Sequence, residues 1–256
     1  MAEFAYKHIL LIRPQRQDDQ LLSMLENSGA QVTHIPVMTI EPLGESQIAK
    51  SQAVKDQILE FDNFHKAIFV SGNAAELAIE WIDKYWPMHP VGIDCFAVGE
   101  RTAALLKEAG IHALCPSGRQ NSEALLQLPQ LHQLENQRII IFRGCGGREI
   151  LADTLTERGA RVEYCELYRR VIDTRQAALA RQQKADCLIA HSGELIQAMG
   201  AAEETLFADT AVVVPSDRVA EIARQLGYRR VFSAENALPE AMLATVLEAL
   251  DSATES

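Results

Sequence analysis

The sequence predicts an α/β protein of two similar parallel-sheet α/β domains. Three observations lead there. The chain repeats itself, with the matching pieces in the same order. Each repeat opens on a short, unbroken apolar run. A helical pattern closed by a glycine follows each run.

The first matching pair runs from His8-Ile-Leu-Leu-Ile-Arg-Pro to Gly29-Ala-Gln-Val-Thr-His-Ile-Pro36, and from Arg138-Ile-Ile-Ile-Phe-Arg-Gly to Gly159-Ala-Arg-Val-Glu-Tyr-Cys-Glu166. Arg13 lines up with Arg143, Leu25 with Leu155 and Gly29 with Gly159, all at one offset. Ile9 to Ile12 and Ile139 to Phe142 are continuous and Ile-rich, as parallel strands covered on both faces require. Leu21, Leu22 and Leu25 fit one helix face, as do Ile150, Leu151 and Leu155. Gly29 and Gly159 stand where a helix wants a left-handed closing residue. Val32 and Val162 then begin new strands.

Two more pairs follow. Ala67-Ile-Phe-Val-Ser71-Gly72-Asn73 resembles Cys187-Leu-Ile-Ala-His-Ser192-Gly193-Glu194. The stretch from Val98 to Gly110 resembles that from Val214 to Gly227. Strands alternating with helices at this spacing give βα units and a parallel sheet. Pro36 to Pro42 and Glu166 to Asp173 hold equivalent places, are extended, and can run side by side as a two-stranded hinge. A repeat-exchanged arrangement, with the first unit joined to the last third of the chain, is permitted but not required. Residues beyond Asp251 read as a polar tail.

Bulk properties narrow the function. The 256 residues suit one large domain or two ordinary ones, and 48% apolar with 23% charged residues is a globular balance. No apolar stretch approaches the roughly 20 residues of a membrane span. Met1-Ala2-Glu3-Phe4 carries acid where a signal peptide would carry base, so a cytoplasmic, membrane-free protein is expected. The five cysteines include no CxxC, which argues for reduced thiols rather than disulfides or a zinc site. A formal charge of −11 disfavours a broad basic face for nucleic acid. It also means that a polyanionic ligand would need a local site that overcomes the global sign.

The strand-to-helix turns supply such sites. They are Ser71-Gly72-Asn73, Gly99-Glu100-Arg101-Thr102, Asn121-Ser122-Glu123, Gly144-Cys-Gly-Gly-Arg148, Ser192-Gly193 and Ser216-Asp217-Arg218. Small polar residues there serve as N-caps. The free N–H groups of the same turns also bind carboxylates and phosphates without formal charge. Ligands of open α/β sheets bind beyond the carboxyl ends of the strands, where these turns fall. Arg13 and Arg143 emerge at that edge, either to pair with a local acid or to hold a ligand. Tyr168, in the extended Glu166–Asp173 stretch, is either a cross-strand packing partner or a phenol able to donate a proton. Gly144 to Gly147 lacks the full dinucleotide fingerprint, no P-loop occurs, and the seven histidines form no HExxH or close pair. No metal-ligand set stands out.

Taken in order, several pieces resemble the uroporphyrinogen-III synthase family over nearly the whole chain. They are Arg13-Pro14, Phe69-Val70-Ser71-Gly72-Asn73-Ala74, Ala97-Val98-Gly99-x-x-Thr102-Ala103 and Ser122-Glu123-x-Leu125-Leu126. Arg143-Gly144-x-x-Gly147-Arg148-x-x-Leu151 and Arg158-Gly159-Ala160-x-Val162, leading to Tyr168, complete the set. His191-Ser192-Gly193 departs from it, since the family often has a Thr-Ser pair there.

The resemblance implies one α/β domain from residues 1–37 plus 172–256 and an inserted one from 42–166, joined by a two-stranded β-ladder hinge with strands at 38–41 and 167–171. It implies a cofactor-free lyase that dehydrates hydroxymethylbilane, a linear tetrapyrrole with eight carboxylates, and closes it to uroporphyrinogen III with ring D inverted. This is a step of haem and sirohaem biosynthesis. Tyr168 would be the proton donor, with Thr102 as helper. Arg13, Ser71, Gly72, Asn73, Gly99, Ser122, Arg143, Gly144, Arg148, Ser192, Gly193 and Ser216 would bind substrate, largely through backbone amides. No metal or cofactor is expected. A monomer that receives substrate from hydroxymethylbilane synthase is expected, with substrate-driven closure of the hinge. Two other classes fit composition and periodicity: a two-domain anion-binding protein, and a nucleotide-dependent transferase or reductase.

Overall fold

The computed structural model describes residues 6–15, 19–43, 48–118, 120–147 and 149–251. The chain begins with β1 (His8–Leu11), α1 (Gln20–Asn27), β2 (Gln31–His34) and β3 (Met38–Pro42). It continues through α2 (Ile48–Leu59), β4 (Lys66–Phe69), α3 (Gly72–Tyr85), β5 (Asp94–Ala97), α4 (Glu100–Glu108), β6 (Ala113–Leu114) and α5 (Ser122–Leu125). Next come β7 (Arg138–Gly144), α6 (Ile150–Glu157) and β8 (Arg161–Ile172). The remainder is α7 (Thr174–Arg181), β9 (Cys187–Ile189), α8 (Gly193–Met199), β10 (Ala211–Val214), α9 (Asp217–Gln225), β11 (Arg230–Ser233) and α10 (Pro239–Asp251).

The chain forms two compact units, Met1–Thr39 with Val171–Ser256, and Ile40–Arg170. The first holds a five-stranded sheet in the order β11-β10-β9-β1-β2, parallel throughout. The second holds a six-stranded sheet in the order β3-β8-β7-β4-β5-β6. Its β8, β7, β4, β5 and β6 are parallel neighbours. The two orders correspond: β7 and β8 stand in the second sheet as β1 and β2 do in the first, and β4-β5-β6 as β9-β10-β11. The duplicated pieces are thus distributed one set to each sheet.

Each sheet is buried on both faces, which is why its strands are unbroken apolar runs. In the first unit Leu10, Leu188 and Val212 pack on one face, while Ile9, Leu11, Ile189 and Val213 pack on the other. In the second, Phe69, Ala97, Ile140 and Phe142 oppose Ile68, Phe96, Ile139 and Ile141. Gly29 and Gly159 close α1 and α6 with φ of 90° and 91°, a conformation that side chains with a Cβ resist.

β3 and β8 are neighbouring strands, and Leu43 N–H donates to Leu167 O and Asp173 N–H to Val37 O, both at 2.9 Å. Asp173 caps α7, and the stretch beginning at Val162 and the stretch from Glu166 to Ile172 form one continuous twelve-residue strand rather than two elements. Its pairing with β7 shifts register at Arg143/Gly144, placing Gly144 opposite Tyr168. Asn121-Ser122-Glu123 opens only a four-residue helix, shorter than the Leu125-Leu126 pattern suggests. Among the described residues no helix is long and apolar enough to cross a membrane.

Candidate functional site

In each sheet the strand order reverses at one point, and open α/β sheets bind ligands just beyond the carboxyl ends of the strands there. In the second unit that point lies between β4 and β7. Ser71 follows β4, β7 ends in Arg143 and Gly144, and Tyr168 lies beside Gly144 on β8.

These residues touch. The Tyr168 hydroxyl lies 3.1 Å from Ser71 Oγ. Ser71 is the N-cap of α3, its Oγ accepting from Ala74 N–H at 3.2 Å. The Tyr168 ring lies flat to the chain at Gly144, where an added Cβ would sit 2.5 Å from Cε2. Tyr168 is fully buried, Ser71 and Gly72 half-buried, and Asn73 exposed in the first turn of α3. The backbone at 144 is tied to the same tyrosine, since Cys145 N–H donates to Tyr168 O at 2.7 Å. Gly144 is therefore a buried strand residue that makes room for the phenol, and the exposed turn begins after it.

Arg143 is buried and folds back on its own loop. Its Nε donates to Gly144 O at 3.1 Å, its Nη2 donates to Gly146 O, and the guanidinium stacks 4.4 Å from the Tyr164 ring centre. The loop is held from the other side by Glu166, which accepts from Gly146 N–H at 3.3 Å. Lys50 completes that corner, 3.6 Å from both Cys145 Sγ and Glu166 Oε2. Burial first, then the neighbouring Glu166 carboxylate, pushes the Cys145 thiol up, against the pull of Lys50. Arg148 lies outside the described residues.

Beyond β5, Gly99 caps α4 without a side chain, and Thr102 is buried in the first turn. The free Glu100 N–H is met by Gln120 Oε1 at 3.2 Å. A carbonyl oxygen thus occupies the place where a helix N-terminus would take an anion. Ser122 is half-buried in α5, capped by Asn121 Oδ1 on Ala124 N–H at 2.8 Å.

In the first unit the reversal lies between β1 and β9, and Arg13 and His191-Ser192 stand at it. Arg13 is buried and clamps Asp19 with two donors, Nε at 2.9 Å and Nη2. Its Nη1 lies 2.9 Å from His191 Nε2. Arginine only donates, so this His191 nitrogen is the acceptor. Asp19 is at the same time the N-cap of α1, accepting from Leu22 N–H at 2.9 Å. Ser192 caps α8 on Leu195 N–H at 3.3 Å, and Gly193 is buried where a Cβ would meet Ile222 at 2.6 Å. Ser216 precedes α9 and takes no side-chain part in its cap.

The structure gathers Ser71, Gly144 and Tyr168 in one unit, and Arg13, His191 and Ser192 in the other. Arg13 pairs there with the local acid Asp19. Sequence reasoning passed over Asp19 and Gln120. Asp19, directly before the Leu21–Leu25 helical pattern, carried an N-cap signal; Gln120, in a loop, carried none. Among the described residues no three His, Cys, Asp or Glu side chains are placed to hold a metal ion.

Residues 19–244 match the family model described as uroporphyrinogen-III synthase HemD. The uroporphyrinogen-III synthase of Escherichia coli (strain K12) is 33% identical over 248 residues, covering 92% of this chain and 98% of the relative. That of Salmonella typhimurium is 31% identical over 245 residues, covering 92% and 98%. Among solved structures, a mutant uroporphyrinogen III synthase from Thermus thermophilus superposes with a TM-score of 0.65 at 19% identity, covering 96% of this chain and 99% of that one. The Helicobacter pylori enzyme gives 0.62 at 14% identity, covering 94% and 99%. At such identities these two structures speak for the fold.

Proposed function

Because the chain belongs to the uroporphyrinogen-III synthase family, an enzyme family of the lyase class, we propose that it dehydrates hydroxymethylbilane and closes it to uroporphyrinogen III with inversion of ring D. The observation that carries this reading is the family match across residues 19–244. Loss of hydroxide from ring A leaves an azafulvene. The already substituted carbon of ring D bonds to it, the resulting spiro-pyrrolenine opens, and ring D recloses turned over. The pyrroles supply the electrons, so the chemistry calls for no redox cofactor.

Two tasks then fall to the protein. It holds the two ends of a flexible chain together, a proximity effect. It also supplies a proton to the departing hydroxyl. In this reading Tyr168 is the proton source and Thr102 its helper. The carboxylates are held by backbone N–H groups opening α3 and by the loop that Arg143 shapes. Helix N-termini of this kind suit a protein with a formal charge of −11. Arg13, held by Asp19 and lying beside His191, steadies the Ser192-Gly193 turn in this reading. Action as a cytoplasmic monomer supplied by hydroxymethylbilane synthase belongs to the same proposal.

The test is incubation with hydroxymethylbilane, oxidation, and chromatographic separation of isomers. Isomer III formed faster than the spontaneous isomer I is the expected result. Binding without turnover would favour an anion-binding protein, and turnover only with added nucleotide would favour a transferase or reductase.

A further inference from the structure

Tyr168 has no solvent-exposed surface, whereas Ser71, 3.1 Å from its hydroxyl, is half-exposed. A buried phenol behind a more accessible hydroxyl is the geometry of a two-step relay. A serine hydroxyl has one proton and two lone pairs. One lone pair of Ser71 is committed to Ala74 N–H as the cap of α3. The other lone pair and the proton remain, one to receive a proton and one to give it. The phenol is also fixed in place: an added Cβ at Gly144 would stand 2.5 Å from Tyr168 Cε2 and 2.8 Å from Cζ, so the ring rests on bare backbone.

We propose that Ser71 is the catalytic residue that meets the departing hydroxyl, and that Tyr168 is the proton reservoir behind it. This rests on the reading of Tyr168 as proton source. The C–O bond of the hydroxymethyl group breaks, and its electron pair leaves with oxygen. The Ser71 proton goes to that oxygen, giving water. The Tyr168 proton replaces it on Ser71, leaving a phenolate. Ring closure later releases one proton from carbon, which returns through Ser71 to the phenolate. Nothing is oxidised or reduced, and water is the by-product.

The structure offers two stabilisers of the transient phenolate. Ser71 can turn its hydroxyl to donate a charge-assisted hydrogen bond. The fourteen-residue α3 begins beside it and presents its positive end.

Steady-state kcat and KM for five variants test the relay: Ser71→Ala, Ser71→Thr, Ser71→Asn, Tyr168→Phe and the Ser71→Ala/Tyr168→Phe double variant. Ser71→Ala should lower kcat roughly 10- to 100-fold, within or below the usual range for a proton donor, with KM changed less than about twofold. Ser71→Thr keeps a hydroxyl and should restore kcat. Ser71→Asn keeps a capping oxygen but passes no proton, so it should fold and remain slow. The double variant should be no slower than Tyr168→Phe, since both act on one proton path. A wild-type kcat in Ser71→Ala beside a slow Tyr168→Phe overturns the relay and spares the phenol. Additive losses in the double variant, or a slow Ser71→Thr, also overturn it. A wild-type kcat in Tyr168→Phe overturns the phenol reading itself.

Discussion

The Tyr168 ring occupies the space that a side chain at Gly144 would fill, so the two residues are a matched pair across β7 and β8. The register shift at Arg143/Gly144 is what sets Gly144 opposite Tyr168. Gly144→Ala should therefore overpack the site, at a cost of about 1–3 kcal/mol, and displace the phenol. Thermal unfolding and kcat check this together. A variant with wild-type Tm and kcat would contradict the contact.

Arg13 and Asp19 form a buried ion pair, with side chains 3% and 5% exposed. Removing one partner of such a pair strands the other charge and costs about 3–5 kcal/mol. Arg13→Ala should thus lower stability far more than it raises KM. Denaturant unfolding beside a KM measurement separates the two. A stable Arg13→Ala protein with a greatly raised KM would return Arg13 to the role of substrate clamp.

The fold was legible because the physics behind it is periodic. Ile9 to Ile12 and Ile139 to Phe142 declare doubly covered parallel strands, and Gly29 and Gly159 declare helix ends, with nothing but spacing. The order of the duplicated pieces carries the two similar sheets. The site was legible only as a set of turns. That Arg13 turns to Asp19, or that Gly144 lies under Tyr168, depends on side-chain direction and on a register shift between strands far apart in sequence. Neither leaves a local pattern. The continuous β8 was hidden for a related reason: Glu163, Arg169 and Arg170 are polar residues on an edge-proximal strand and break the apolar run by which the other strands are found.

The cysteines make a prediction about pH. Burial pushes the thiols of Cys95, Cys165 and Cys187 from 9.0 up to about 12. The unfolded chain loses those protons near pH 9, while the folded chain keeps them to about pH 12. The unfolded state therefore binds fewer protons in that window, and stability should fall as pH rises through it. At pH 8 in the native state, alkylation should mark the partly exposed Cys115 and Cys145 and spare the other three. Equal labelling of all five by mass spectrometry would contradict the burial. Stability unchanged between pH 9 and 12 would contradict the linkage.

The central claim is that this chain alone turns hydroxymethylbilane into the inverted isomer. The most direct measurement is the ratio of isomer III to isomer I over time, using protein dialysed against chelator and given no nucleotide. The account predicts that isomer III predominates from the first time point, at a rate proportional to protein concentration. A product mixture dominated by isomer I, as without protein, would contradict it, and so would isomer III that appears only after metal or nucleotide is restored.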